Sequence, residues 1–532
     1  MNLSANKELS GKELIWLLVA GLAAVLVYAC FSWGLPWRFN SPDEAANAFW
    51  SSRVAQGQTL FLIDPLNSLA GFPVLHPRSA YVQGDRLLPG SFLGLPLLAG
   101  AIGQLAGLGA TSYVTVAGAL LGLICWYLIL RHYFNRRVAV VGFVLVAALP
   151  GFWYYHARSW FHNGLFVDLV LAAWYASLWA INKKSRLWHL LSGVIMGLSL
   201  TVRSSEVFWI TAIAVVWFGS YYRQLSWSDL LLVVVGGVVG FSPVCLANIS
   251  IYGVPLALAY QIGQGGAMSF GTSVSLLGQL ILPFGFHPHT ILWSVGQYLI
   301  KLQWWWFILV AAGWLSWWRS NQTASQEERI LVIISWLAAG WLVILYGSWL
   351  FYDNPDQQSV TIGTSYVRYW LPAQILLLWP AAKVLGNWLN DRRRYVALVI
   401  LLIYAGLSAW LVLWQGDEGL FKIRNNIKRF ATVSQQVRQL TEPNSVIVSG
   451  RTDKFFWPER RVMFEAQTAD DLSAIVNLLR SGVSVYWFHP TWTEQQLLNL
   501  QQDRLSARGL TLTPLPETWD GFTLYRFSWN KL

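Results

Sequence analysis

The sequence predicts an all-α polytopic membrane domain over residues 1–414, followed by a small α/β domain over 415–532. Three observations predict it. Only 12% of the 532 residues are charged and 55% are hydrophobic, against about 25% charged in a soluble globular chain. Apolar runs recur from the N-terminus to residue 414, near the ~20 residues that a helical span requires. Beyond 414 charged residues return and the apolar runs shorten to strand length. The 33 tryptophans suit a chain with many interfacial segments, because indole is stable at the headgroup level.

Lysine and arginine placement orients the spans. Basic clusters fall at Lys7/Lys12, Arg131/Arg136/Arg137, Lys183/Lys184/Arg186, Arg223, Arg319/Arg329 and Lys383/Arg392/Arg393/Arg394. Placing all of them in the cytoplasm gives about eleven alternating spans. Their positions are 14–34, 110–130, 138–152, 163–181, 187–202, 206–222, 229–248, 302–318, 330–350, 366–388 and 395–414. The first run, Leu14–Gly34, lacks a small-residue cleavage site and is expected to remain as an anchor. Leu88–Gly109 is apolar but dense in glycine and proline, and counting it would put Arg136 and Arg137 outside. It is therefore assigned as a re-entrant or surface-lying helix. The three cysteines lie in apolar runs and suggest neither a disulfide framework nor a zinc site.

This topology leaves a long first outer loop (35–109), a second (249–301), a polar third (351–365) and the tail outside. The expected location is the plasma (inner) membrane, multi-pass, with a cytoplasmic N-terminus. The tail shows strand-like runs at Ser445–Ser449, Val483–Phe488 and Phe522–Phe527, and a helical pattern at Ala469–Arg480. In the first outer loop, Ser41-Pro42-Asp43-Glu44 has the form of a helix start: a Ser cap, Pro in the first turn and Glu closing a capping box.

The outer loops and span mouths hold seven arginines (Arg38, Arg53, Arg78, Arg86, Arg158, Arg203, Arg368) but only Lys301 among lysines. Arginine offers a planar fork that matches phosphate oxygens, whereas lysine is a mobile point charge. For one such arginine, headgroup contact or a local acid partner is explanation enough; the set points to a phosphate near the outer surface. His156, Arg158 and Asn163 lie in the short loop before 163–181, and Asp168 lies inside that span. An intramembrane Asp is a functional candidate or a helix–helix hydrogen bond to His156 or Asn163. His76 precedes Pro77-Arg78, and His287 and His289 flank Pro288. The last two are weak metal candidates without a carboxylate or cysteine partner.

In order along the chain stand SPDE (41–44), HPRS (76–79), LPGSFLGLPLLAG (88–100), TVRSSE (201–206), NISIYGVPLALAY (248–260), LPFGFHPHTILWS (282–294) and GTSYVRYWLP (363–372). In these motifs the chain resembles the GT-C superfamily of membrane glycosyltransferases, in particular the protein O-mannosyltransferase and aminoarabinose transferase group. The resemblance implies a GT-C fold and transfer of a sugar from a polyprenyl-phosphate donor on the extracytoplasmic side. It implies Asp43 as the base, with Glu44 beside it, and Arg203 and Arg368 on the donor phosphate; from the outer-face set, Arg158 and Arg78 are expected to join them. His76, Asn163, Asp168 and Tyr369 are expected to support them. The family's HPP-type signature is here His76-Pro77-Arg78, and a second acidic motif is represented only by Asp168. No cofactor is certain, and a divalent metal stays open.

The chemistry suits the residues independently. An attacking hydroxyl needs a carboxylate within reach, and a departing phosphate gains charge that guanidiniums stabilise. Asp43 and Glu44, successive on a helix, point about 100° apart, so one can serve as base while the other caps the helix or holds an arginine. The expected partners are the lipid-linked donor, the bilayer and an acceptor protein, lipid or glycan, with no nucleic acid. The rival readings are a flippase or transporter of lipid-linked glycans, and a polysaccharide ligase. A transporter would favour inverted repeats and broken helices at midplane; neither is evident in the sequence, whose polar residues gather at the expected outer rim rather than at midplane. The phosphate candidates all precede residue 380, so the tail is expected to be dispensable for donor binding.

Overall fold

The computed structural model describes residues 9–256, 282–320, 324–354, 356 and 359–530. Parts of the outer loops at 249–301 and 351–365, and NISIYGVPLALAY from 257 on, lie outside the described residues. The chain divides into two compact units, each discontinuous in sequence. One holds 1–33, 112–245 and 269–423; the other holds 34–111, 246–268 and 424–532.

The first unit is helical and apolar. Among the described residues of the whole chain, six helices are long and apolar enough to cross a membrane, or up to nine when each bent pair counts as one span. The bent pairs are Arg136–Ala147 with Pro150–Ala157 (56°), Arg186–Val202 with Ser204–Ser220 (117°), and Pro288–Lys301 with Trp304–Ser320 (96°). Arg186–Val202 and Ser204–Ser220 correspond to two spans expected from sequence. The segment expected at 366–388 is likewise broken, into Ser365–Tyr369, Leu371–Leu376 and Trp379–Trp388. Pro372 and Pro380 stand in the first turns of the latter two, where the missing N–H costs least.

One crossing in this unit depends on glycine. A Cβ on Gly193 or Gly197 would lie 2.1 and 2.2 Å from the carbonyl oxygens of Val233 and Gly237. One on Gly236 or Gly240 would lie 2.2 and 2.1 Å from those of Leu190 and Val194. The two small-xxx-small pairs let the backbones of Arg186–Val202 and Trp227–Tyr252 touch, which is how helices associate without a hydrophobic driving force.

The second unit joins the first loop to the tail. In the loop, β1 (Leu62–Ile63), β2 (Ala80–Gln83) and β3 (Arg86–Pro89) form an antiparallel sheet in the order β1-β3-β2. Leu88–Gly109 is mostly the helix Gly94–Ala106, 13 residues long and too short to span. In the tail, β4 (Val446–Ser449), β5 (Arg461–Met463), β6 (Val485–Pro490), β7 (Leu510–Trp519) and β8 (Phe522–Trp529) form a mixed sheet in the order β5-β4-β6-β8-β7. The predicted helix is present as Ala469–Arg480, capped by Thr468 and Asp471. Two strands had no clear sequence signal. β5 has only three residues, and β7 contains Pro514 and Pro516, which confine it to the sheet edge. Ala70 and Leu75 of the first loop are buried in one core with Val446, Ile475, Leu478 and Tyr525 of the tail.

Candidate active site

In the second unit the SPDE stretch opens the helix Pro42–Ala55 as a capping box. The Ser41 N–H donates to Glu44 Oε2 (2.8 Å), and the Ser41 hydroxyl accepts from the Asp43 N–H (3.3 Å). Glu44 is buried and closes the cap, while half-buried Asp43 accepts a hydrogen bond from the Ser79 hydroxyl at 2.6 Å. Ser79 belongs to HPRS, so the structure brings two of the sequence motifs together.

Arg78, the next residue back, is engaged elsewhere. Its backbone N–H, Nε and Nη2 all reach Asp453 (2.8, 3.2 and 2.8 Å), and Nη2 also reaches the Arg451 carbonyl (2.9 Å). Half-buried His76 directs Nδ1 to the Pro77 carbonyl (3.0 Å). Arg38 pairs with Glu459 (2.8 Å) and the Ser434 hydroxyl (2.9 Å). Arg53 holds the Thr59 and Phe61 carbonyls at 2.8 and 2.9 Å. Asp453, Lys454 and Glu459 had no motif to announce them.

In the first unit three of the predicted arginines converge through shared aromatic faces. Arg203 lies 4.7 Å and Arg368 5.2 Å from the Tyr369 ring centroid. Arg368 lies 5.1 Å and Arg158 4.9 Å from that of Phe161. Their exposures are 5%, 8% and 8%, so all three charges are withdrawn from water. Cation–π contacts of this kind strengthen on desolvation.

The fold fixes each member of the array. Arg203 interrupts the helices at the 117° bend, with Nε and Nη2 on Glu206 Oε1 (3.0 and 2.7 Å) and Nη2 on the Tyr346 hydroxyl (2.9 Å). Arg368 Nη2 donates to the Ser365 hydroxyl (2.9 Å). Ser365 is pinned in turn by Asp353, which accepts its N–H (2.7 Å) and its hydroxyl (3.0 Å). Arg158 donates to the Tyr154 hydroxyl at 2.8 Å. Trp209 Nε1 donates to Glu206 Oε2 (2.7 Å), and its ring lines an apolar cavity of about 130 Å³ with Phe166, Trp174, Met196 and Ile334.

Asp168 is fully buried, with Oδ2 2.8 Å from His156 Nε2, while His156 Nδ1 donates to the Phe152 carbonyl (2.7 Å). This is the helix–helix hydrogen bond among the alternatives for this residue. Gly122 makes room for it, since a Cβ there would stand 2.0 Å from Asp168 Oδ1. Asn163 is buried in the first turn of the helix His162–Lys183, which carries Asp168. His287 and His289 are exposed, and no group of three or more His, Cys, Asp or Glu side chains suited to a metal ion occurs among the described residues.

Comparisons with known proteins agree with this architecture. Residues 98–246, which include Arg158, Asp168 and Arg203, match the dolichyl-phosphate-mannose-protein mannosyltransferase family. No curated protein matches the sequence. The archaeal oligosaccharyltransferase AglB from Archaeoglobus fulgidus was solved in complex with an inhibitory peptide and a dolichol-phosphate. It is similar with a TM-score of 0.53 at 12% identity, over 90% of this chain and 70% of that one. ArnT from Cupriavidus metallidurans bound to undecaprenyl phosphate gives 0.53 at 12% identity, over 97% of this chain and 98% of that one. The resemblance to the GT-C superfamily thus extends from the motifs to the fold, and the chain is a multi-pass membrane protein.

Proposed function

We propose that the protein transfers a sugar from a polyprenyl-phosphate donor to an acceptor hydroxyl on the extracytoplasmic side of the plasma membrane. The observation that carries this reading is the run Arg158–Phe161–Arg368–Tyr369–Arg203, three buried guanidiniums bridged by two rings. Burying a cation costs several kcal/mol in an apolar site; Glu206 offsets that cost at Arg203, and the array brings three guanidinium forks to one place. A phosphate suits them, because the guanidinium fork matches its oxygens.

The reaction uses these charges where they change. The acceptor oxygen attacks the anomeric carbon, its proton passes to Asp43, and the bond from that carbon to the phosphate oxygen breaks with its electron pair on the phosphate. The lipid phosphate goes from a monoanionic diester to a monoester of about −1.5 to −2. Arg158, Arg203 and Arg368 therefore stabilise the transition state more than the bound donor, which is what accelerates a reaction. A single displacement inverts the anomeric configuration. Glu44 caps the helix that carries the base, and Arg78 is a strut on Asp453. The apolar cavity lined by Trp209, whose indole N–H holds Glu206, offers room for isoprenoid chain. The acceptor is a protein, lipid or glycan hydroxyl.

Incubating purified protein with a panel of radiolabelled polyprenyl-phosphate monosaccharides and extracted membrane acceptors tests this reading. One donor should yield a labelled acceptor and free polyprenyl phosphate. Movement of intact donor across a vesicle bilayer, with no bond cleaved, would establish a flippase instead.

A further inference from the structure

We infer that Ser79, locked in place by the Arg78–Asp453 ion pair, is a positioning residue that aims the Asp43 carboxylate, so that the tail of the chain contributes to turnover. The inference rests on the reading of Asp43 as the base.

The hydrogen bond from Ser79 Oγ to Asp43 Oδ1, at 2.6 Å, restrains the rotation of the carboxylate. Its geometry is held against a backbone preference. Ser79 stands at φ +63, in the left-handed region, where a residue with a Cβ is disfavoured by ~1–2 kcal/mol. The flanking contacts impose it. On one side Arg78 places its backbone N–H and guanidinium on Asp453, whose side chain is 0% exposed. On the other side the Ser79 carbonyl accepts the Gly90 N–H (3.0 Å), and a Cβ at position 90 would lie 2.8 Å from that carbonyl.

The tail grips both segments that meet at Asp43. Asp453 holds residue 78, and the Lys454 amine donates to the Asn40 carbonyl, just before the Ser41 cap. The Trp457 ring centroid lies 4.3 Å from that of Phe49, about two turns into the same helix. A contact that only fastened loop to tail would need the ion pair. It would not need a hydroxyl on a left-handed residue directed at the proposed base.

The test separates positioning from folding. Ser79→Gly removes the hydroxyl but suits φ +63, so its melting temperature should equal or exceed that of the wild type. Its kcat should nevertheless fall about tenfold, with donor KM unchanged, since small misplacements of a reacting group cost up to ~10²-fold. Ser79→Thr, which keeps the hydroxyl, should retain more kcat than Ser79→Gly although it is less stable. On an Asp43→Asn background, Ser79→Gly should change residual turnover little, because both act through one group. Wild-type kcat in Ser79→Gly, or the same fractional loss on both backgrounds, would overturn the positioning role. Wild-type turnover in Asp43→Asn alone would instead overturn the base reading.

Discussion

Replacing Asp43 with Asn discriminates most sharply between a helix cap and a catalytic base. The capping box is closed by Glu44 and Ser41, at 2.8 Å, and survives the change. The Ser79 hydroxyl, 2.6 Å from Asp43 Oδ1, can still donate to an amide oxygen, in a weaker bond than to the carboxylate. What is lost to stability is one negative charge in the first helical turn, worth about 0.3–1 kcal/mol. A general base contributes ~10²–10⁴-fold to turnover, and 10² alone corresponds to about 2.7 kcal/mol in the barrier. The expected result is a nearly normal melting temperature and donor affinity with kcat down at least ~10²-fold. Glu44→Gln is the control, because Gln can still accept the Ser41 N–H, and kcat should stay within a few-fold. Thermal unfolding in detergent and initial transfer rates, measured on the same preparations, decide the matter. An Asp43→Asn protein that is less stable but turns over normally would refute the catalytic reading.

Other consequences are open to measurement. Arg368→Lys and Arg158→Lys keep the charge but lose the fork, and each should weaken binding of polyprenyl phosphate about tenfold or more by isothermal titration; unchanged affinity would mean that the phosphate lies elsewhere. Gly122→Ala would set a Cβ 2.0 Å from Asp168 Oδ1, an overpacking expected to cost about 1–3 kcal/mol in thermal stability, with equal stability refuting the close approach. In a background lacking Cys30, Cys125 and Cys245, an impermeant thiol reagent added to intact cells should label Asn425→Cys and not Lys184→Cys. The reverse pattern would invert the proposed topology.

Much of the architecture was legible in the sequence because the governing signals are local. Span-length apolar runs, the Ser41–Glu44 capping box and the helix Ala469–Arg480 each depend on residues within a few turns of one another. The arginines could be selected by their place in the loops and span mouths expected to face outward, and three of them share a cluster. The glycine-lined crossing left a local trace, Gly193–Gly197 and Gly236–Gly240 at spacing four, but a small-residue pair does not name its partner helix.

The sequence by itself determined the class of protein, the approximate places of its long helices and the chemical types in its loops and at its helix ends. Only the tertiary structure decided which groups meet. Arg78 has the composition of a phosphate ligand, yet its guanidinium sits on Asp453, 375 positions away. Asp168 stands out in the sequence as an acid inside an apolar run, but only the fold shows that it meets His156, in a space kept open by Gly122. The first loop could be read as an appendage of the membrane domain, yet its Ala70 and Leu75 complete the core of the tail. The physical reason is common to all three. A buried charge or apolar face must find its complement, and that complement is set by how distant segments fold back on one another, which no local pattern encodes.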